Sequence, residues 1–281
     1  MNIEELIAAE EDYFAPMIAR AEKATAEQRA SWQKETVRER QERISLEVFD
    51  SVEGRVKYGP FKGLQLNRET WWGKLDLGSQ CLGLYEKELL DFIAALPDDQ
   101  FSHFIDIGAA DGYYAIGMLV SQKIRNCICF EQSEKGQQTI LANWQRNHSP
   151  GKLKIFGEAN EQSLASLLPE ELQRALVLID IEGFEFELLN PAFLAKLQSC
   201  TIIIEVHNWV EDFLAKYTQL LRNAHLFFDI EMVERIDRTT SHLPELRDMT
   251  DDNRLLFTSE RRPCMMRFLQ LTPKKSSATP R

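Results

Sequence analysis

From Phe101 onward, short apolar runs alternate with amphipathic stretches, and this alternation limits what the chain can fold into more than any other feature. The runs are Phe101–Ile107, Cys127–Phe130, Lys154–Phe156, Leu176–Ile181 and Thr201–Val206. Between and after them lie helical patterns at Tyr114–Leu119, Lys135–Asn147, Gln162–Leu168, Glu185–Leu197 and Val210–Asn223. Repeated strand–helix units predict a parallel sheet with helices on both faces. Two further strand-like runs, Leu226–Ile236 and Met265–Leu271, are joined by a polar connection with no helical period. Two such strands closing a parallel sheet predict an antiparallel pair at one edge. The expected fold class is therefore α/β: a doubly wound, mostly parallel sheet of seven strands with an antiparallel terminal strand.

The first hundred residues read differently. Ile3, Leu6, Ile7, Tyr13, Phe14, Met17 and Ile18 recur at helical spacing among charged residues, whereas the segment after Ala24 is mostly Glu, Arg, Gln and Lys. Residues 1–50 are thus expected to form a helical N-terminal arm. It is either an extension that packs on a partner subunit, giving a homodimer, or a mobile tail. Residues 51–99 are expected to hold a small hairpin around Gly59 and Pro60, a loop through Trp71, Trp72 and Gly83, and a lead-in helix over Tyr85–Leu96. The sheet domain spans 100–272, and 273–281 reads as a disordered tail.

Bulk composition excludes some functions. The formal net charge is −11 and the sequence pI about 5.1. An acidic surface repels phosphate backbones, so nucleic acid is not an expected partner. Cys81, Cys127, Cys129, Cys200 and Cys264 contain no CxxC pair and are odd in number, which predicts neither a zinc site nor a disulfide framework. The amino terminus lacks the basic and apolar regions of a signal peptide, and no apolar run approaches the ~18 residues of a membrane span. A cytoplasmic protein without stable membrane insertion is expected.

Chemistry concentrates where strands end. The first strand runs through Asp106 into Gly108, Ala109, Ala110, Asp111 and Gly112, and a helix then begins. Small residues let a ligand approach the backbone, and the helix start offers unpaired N–H groups. The pattern is DxGxxxG rather than the dinucleotide fingerprint GxGxxG. Asp106 suits a ligand carrying an ammonium group better than a pyrophosphate, which it would repel. Glu131 ends the second strand nineteen residues beyond Gly112. An acid at that place can accept both hydroxyls of a ribose. Glu158 and Ala159 follow the third strand, where a loop would lie over an adenine.

Asp180 and Glu182, two apart, share a face at the end of the fourth strand, and Glu205 and His207 do the same on the fifth. Ionisable residues in otherwise apolar strands are costly unless used or paired. The plainer alternatives are helix capping by the acids and a satisfied core histidine.

Together these residues resemble the FkbM family of methyltransferases, within the Rossmann-like group that uses S-adenosylmethionine. The matching stretches are Asp106–Tyr114, Glu131, Ile179–Glu185 and Ile204–His207. The resemblance implies that Asp106, Gly108 and Gly112 shape the methionine end of a cofactor site, with Ala109 and Tyr113 beside them, and that Glu131 holds the ribose. Many relatives methylate hydroxyls on sugars or natural products. Such families often carry Asn in the glycine turn and Lys before the fourth-strand acid; here those places hold Ala110-Asp111 and Leu178-Ile179.

The expected activity is O-methylation of a hydroxyl on a sugar, glycan or small natural product by in-line transfer. His207 is the first candidate base, because an unperturbed imidazole titrates near ~6.5, and Asp180 orients it or takes the proton itself. A metal-free site is preferred over one in which Asp180, Glu182, Glu205 and His207 bind Mg²⁺ or Mn²⁺. The rival readings are a nicotinamide-dependent oxidoreductase and a non-catalytic binding protein that keeps the cofactor fold.

Overall fold

A computed structural model describes residues 2–262 and 266–274. Its sheet contains β1 (His103–Ile107), β2 (Asn126–Phe130), β3 (Lys152–Phe156), β4 (Ala175–Ile179), β5 (Thr201–Val206), β6 (Phe228–Val233) and β7 (Arg267–Pro273). The order across the sheet is β3-β2-β1-β4-β5-β7-β6. Strands β1 to β5 pair in parallel, and β7 runs antiparallel between β5 and β6. This is the doubly wound, seven-stranded arrangement that the alternation requires. The reversed strand is inserted one place in from the edge, which β6 occupies.

Side-chain alternation divides the core in two. Phe104, Cys127, Cys129, Leu176, Leu178 and Ile203 point to one face, and Ile105, Ile107, Ile128, Val177, Ile179 and Ile204 to the other. The first face is covered by the helices Val37–Ser51, Lys87–Ala95 and Tyr113–Val120, so Ile44, Val48, Phe61, Leu90 and Ile93 share one apolar cluster with the sheet. Phe193, Leu194, Leu220 and Ala224 cover the second. Asp106, Asp180, Glu205 and His207 have the parity of the first face. Residues 37–96 therefore form the roof under which those ionisable groups lie.

Three local expectations change. The 54–66 segment folds back through Val56 N–H to Leu64 O (2.8 Å) and Leu66 N–H to Gly54 O (2.8 Å), but one bridge, Arg55 with Gln65, replaces a hairpin ladder. The loop after Trp72 contains a short helix, Leu77–Cys81, which packs so closely on the Val37–Ser51 helix that a Cβ at Gly78 would lie 2.6 Å from Ser45 O. The polar connection before β7 holds a helix, Asp251–Thr258, capped by Thr250 through the Asn253 N–H (3.4 Å). Only Phe257 of that helix is fully buried, so it shows no apolar stripe.

The helix Ile3–Lys23 exposes Ile3, Leu6, Ile7, Tyr13, Phe14 and Ile18; Arg247 ties it down through Asp12 (3.2 Å) and the Tyr13 ring. Cys264, Met265 and the tail from 275 lie outside the described residues; Pro273, expected in the tail, closes β7. The four described cysteines are buried and free. No helix among the described residues is long and apolar enough to cross a membrane.

Candidate functional site

The turn after β1 is built by backbone demands. Gly108, Ala110 and Gly112 all have positive φ (91°, 47° and 78°). A Cβ on Gly108 would sit 1.7 Å from the Asp180 carbonyl oxygen, so β1 and β4 can approach here only over glycine. The Gly108 and Ala109 N–H groups donate to Phe130 O (2.9 and 3.1 Å), locking the turn to the end of β2. Glu131 then accepts from Ala110 N–H (3.0 Å) and Ser133 N–H (2.8 Å).

These strand ends frame a cavity of about 430 Å³, a size that suits a small-molecule site. Asp106, Gly108, Ala109, Tyr113, Glu131, Glu158 and Ala159, all expected at a cofactor site, line it. Asp180 and Glu182 line it as well. Gly112 does not; it stands at the helix start, where its φ of 78° turns the chain. Among the described residues the lining carries six carboxylates, on Asp106, Asp111, Glu131, Glu158, Asp180 and Glu182, and no Lys, Arg or His.

Burial and that concentration of negative charge alter the acids. Burial, reinforced by Asp180, pushes the Asp106 carboxyl up to about 8. Burial and the Glu86 carboxylate push Asp180 up to about 7, against the pull of His207. Asp180 Oδ1 has no hydrogen-bond partner among the described residues.

His207 departs from its expected place. It is 1% exposed, does not line the cavity, and lies behind Asp180. Its backbone N–H and its Nδ1 both meet Glu185 Oε1, at 2.8 and 3.2 Å. Nε2 faces Asp180 Oδ1 (3.4 Å), Glu182 Oε2 (3.7 Å) and Glu205 Oε2 (3.7 Å). Burial alone would lower its pKa, but Glu185 and the acids around it outweigh burial and raise it. Buried behind Asp180, the imidazole does not reach the cavity, where a direct proton acceptor would have to stand. Glu205, 3% exposed, is likewise off the cavity and pairs with Arg262.

Several residues here were not signalled by any local motif. Glu86, 2% exposed and with φ of 43°, accepts from Tyr114 Oη (2.5 Å) and Arg262 Nη2 (3.0 Å). Glu260 binds Arg262 Nε (2.7 Å) and pairs with Arg238. The backbone N–H groups of Trp71 and Trp72 donate to Asp111 (2.9 and 3.3 Å), which holds this loop at the cavity mouth. Glu185, fully buried, sits inside the motif around Asp180, and its proximity to the next strand's histidine is a tertiary fact.

A scan against protein-family models and a search of curated proteins found no match. Solved structures of similar outline exist. Precorrin-6y C5,15-methyltransferase from Geobacter metallireducens is 15% identical, with a TM-score of 0.43 over 69% of this chain and 86% of that one. A candidate tRNA (m1A22) methyltransferase from Streptococcus pneumoniae, in complex with S-adenosyl-L-methionine, is 16% identical, with a TM-score of 0.43 over 68% and 75%. Ribosomal protein L11 methylase from Lactobacillus delbrueckii is 13% identical, with a TM-score of 0.41 over 73% and 82%. At these identities and scores the likeness assigns neither chemistry nor substrate to this chain.

Proposed function

We infer that the protein is an S-adenosylmethionine-dependent methyltransferase. The observation that carries this reading is the charge of the cavity: among the described residues, six carboxylates and no cation at the ends of a doubly wound sheet. A dinucleotide would bring two phosphates against those acids with no Arg or Lys to meet them. S-adenosylmethionine brings a sulfonium and an ammonium, which the same acids attract.

In this reading Glu131 takes the ribose hydroxyls, because an acid in hydrogen-bond contact with the glycine turn stands where a ribose reaches a strand end. Asp106 and the Gly108 turn receive the methionine end, and Glu158 and Ala159 flank the adenine. The acceptor enters past Trp71, Trp72 and Phe184, which offer apolar contact. Its oxygen attacks the methyl carbon in line, the carbon–sulfur bond breaks, and sulfur keeps the electron pair. Asp180, on the cavity wall, takes the hydroxyl proton. His207 positions Asp180 from behind. The acceptor is a neutral hydroxyl of a small natural product, sugar or glycan, since phosphate-bearing acceptors face the same repulsion as a dinucleotide. The FkbM resemblance supports a hydroxyl acceptor.

A thermal-shift comparison of four ligands tests the reading. S-adenosylmethionine and S-adenosylhomocysteine should raise the melting temperature, and NADH and NADPH should leave it unchanged. The reverse pattern would replace the methyltransferase with an oxidoreductase.

A further inference from the structure

The site contains an arrangement that methyl transfer alone does not explain. Glu185 receives the His207 Nδ1–H, so the other ring nitrogen, Nε2, is aimed at carboxylate oxygens from Asp180, Glu182 and Glu205. An imidazole lone pair directed at anions is repulsive unless a cation stands between them. A proton on Nε2 would draw one carboxylate in to ~2.7–2.9 Å. The separations are instead 3.4, 3.7 and 3.7 Å, and Asp180 Oδ1 is buried without a hydrogen-bond partner among the described residues. Ligand atoms held at ~2.0–2.2 Å from a common ion lie roughly 3–3.5 Å from one another.

We propose that Asp180, Glu182 and His207 hold one divalent cation of the Mn²⁺ type. One ligand atom from each of the three lies within 4.8 Å of the others. Two carboxylates with one imidazole form a mixed oxygen–nitrogen set, which suits Mn²⁺ better than the all-oxygen preference of Ca²⁺. The buried Glu185 behind His207 supplies the outer hydrogen bond that metal-bound histidines receive, fixing both tautomer and ring orientation. His207 closes the inner side of the site while Asp180 and Glu182 line the cavity. Open positions on such an ion would face an entering acceptor, whose hydroxyl it would acidify while the second carboxylate oxygen of Asp180 took the proton. This gives His207 a role that its burial permits, as a ligand rather than a base.

The site stands independently of the cofactor reading, because the probe is the metal alone. The full-length chain, stripped with EDTA, is titrated with Mn²⁺ and followed by electron paramagnetic resonance. One ion per chain should bind, with pulsed spectra showing nitrogen coupling from a single imidazole. Glu182→Gln and His207→Gln should each weaken binding by at least about tenfold, and the nitrogen coupling should vanish in His207→Gln. Glu182 is half-exposed, so its variant keeps the test sound if the histidine variant fails to fold. No saturation by folded wild-type protein up to about 1 mM Mn²⁺, binding unmoved by Glu182→Gln, or a bound ion without nitrogen coupling would each overturn the proposal.

Discussion

The two halves of the cavity are built by different means. At the ends of β1 and β2 the site is made of backbone: positive φ at Gly108, Ala110 and Gly112, N–H groups bridging strand to strand, and Glu131 clasped by two of them. At the ends of β4 and β5 it is made of side-chain charge. Glu86, Asp180, Glu182, Glu185, Glu205, His207 and Arg262 converge there from segments up to 176 residues apart. The first half is held by backbone conformation and backbone N–H groups, which most side-chain changes leave in place. The second is a balance of charges that a single substitution upsets.

That contrast can be broken most severely at Gly108. A methyl group there meets the Asp180 carbonyl, so Gly108→Ala should cost more than about 3 kcal/mol or prevent folding. Chemical denaturation measures this, and a variant of wild-type stability would show that the backbone half is not rigid. The next effect belongs to the charged half. Glu185→Ala leaves the His207 ring without its anchor in a fully buried place, for an expected loss of about 3–5 kcal/mol. Unchanged stability would mean that the cluster is not a coupled unit.

Asp180→Asn should sharpen the comparison by separating binding from turnover. The rate of methyl transfer should fall by about 10²–10⁴-fold, while the affinity for S-adenosylmethionine stays close to wild type. An equal loss of both would place Asp180 in the cofactor half.

The smallest effect is protonic. The Asp106 carboxyl is raised to about 8, above its unfolded value, so the folded state binds the extra proton. Stability owed to that proton is present at low pH and declines as pH rises from ~4 toward 8. A cofactor ammonium near Asp106 would drive ionisation, so binding at pH 7 should release a fraction of a proton. Calorimetry in two buffers of different ionisation enthalpy reads this release, which should disappear in Asp106→Asn. Its persistence would move the cofactor's charge elsewhere.

The sequence disclosed these halves unequally, for the same physical reason. The turn from Asp106 to Gly112 and the acid nineteen residues later are dictated by local backbone geometry, which residue type and spacing record. Asp180 was legible because a carboxylate interrupts an apolar strand. The burial of His207 was not, because Glu185 lies on one strand–helix junction and His207 on the next. Glu86 and Arg262 carry no local signature at all. Their carboxylate–guanidinium contact exists only because the N-terminal roof and the chain before β7 close over the same sheet face. The Asp251–Thr258 helix escaped for a related reason: Phe257 alone is fully buried, so no stripe marks it.

The most direct test of the central claim is calorimetric titration of the purified protein with S-adenosylmethionine, beside Glu131→Ala. The site as read here predicts saturable binding that the substitution weakens by at least about tenfold, or ~1.4 kcal/mol. A folded protein that gives no binding at millimolar ligand would contradict it.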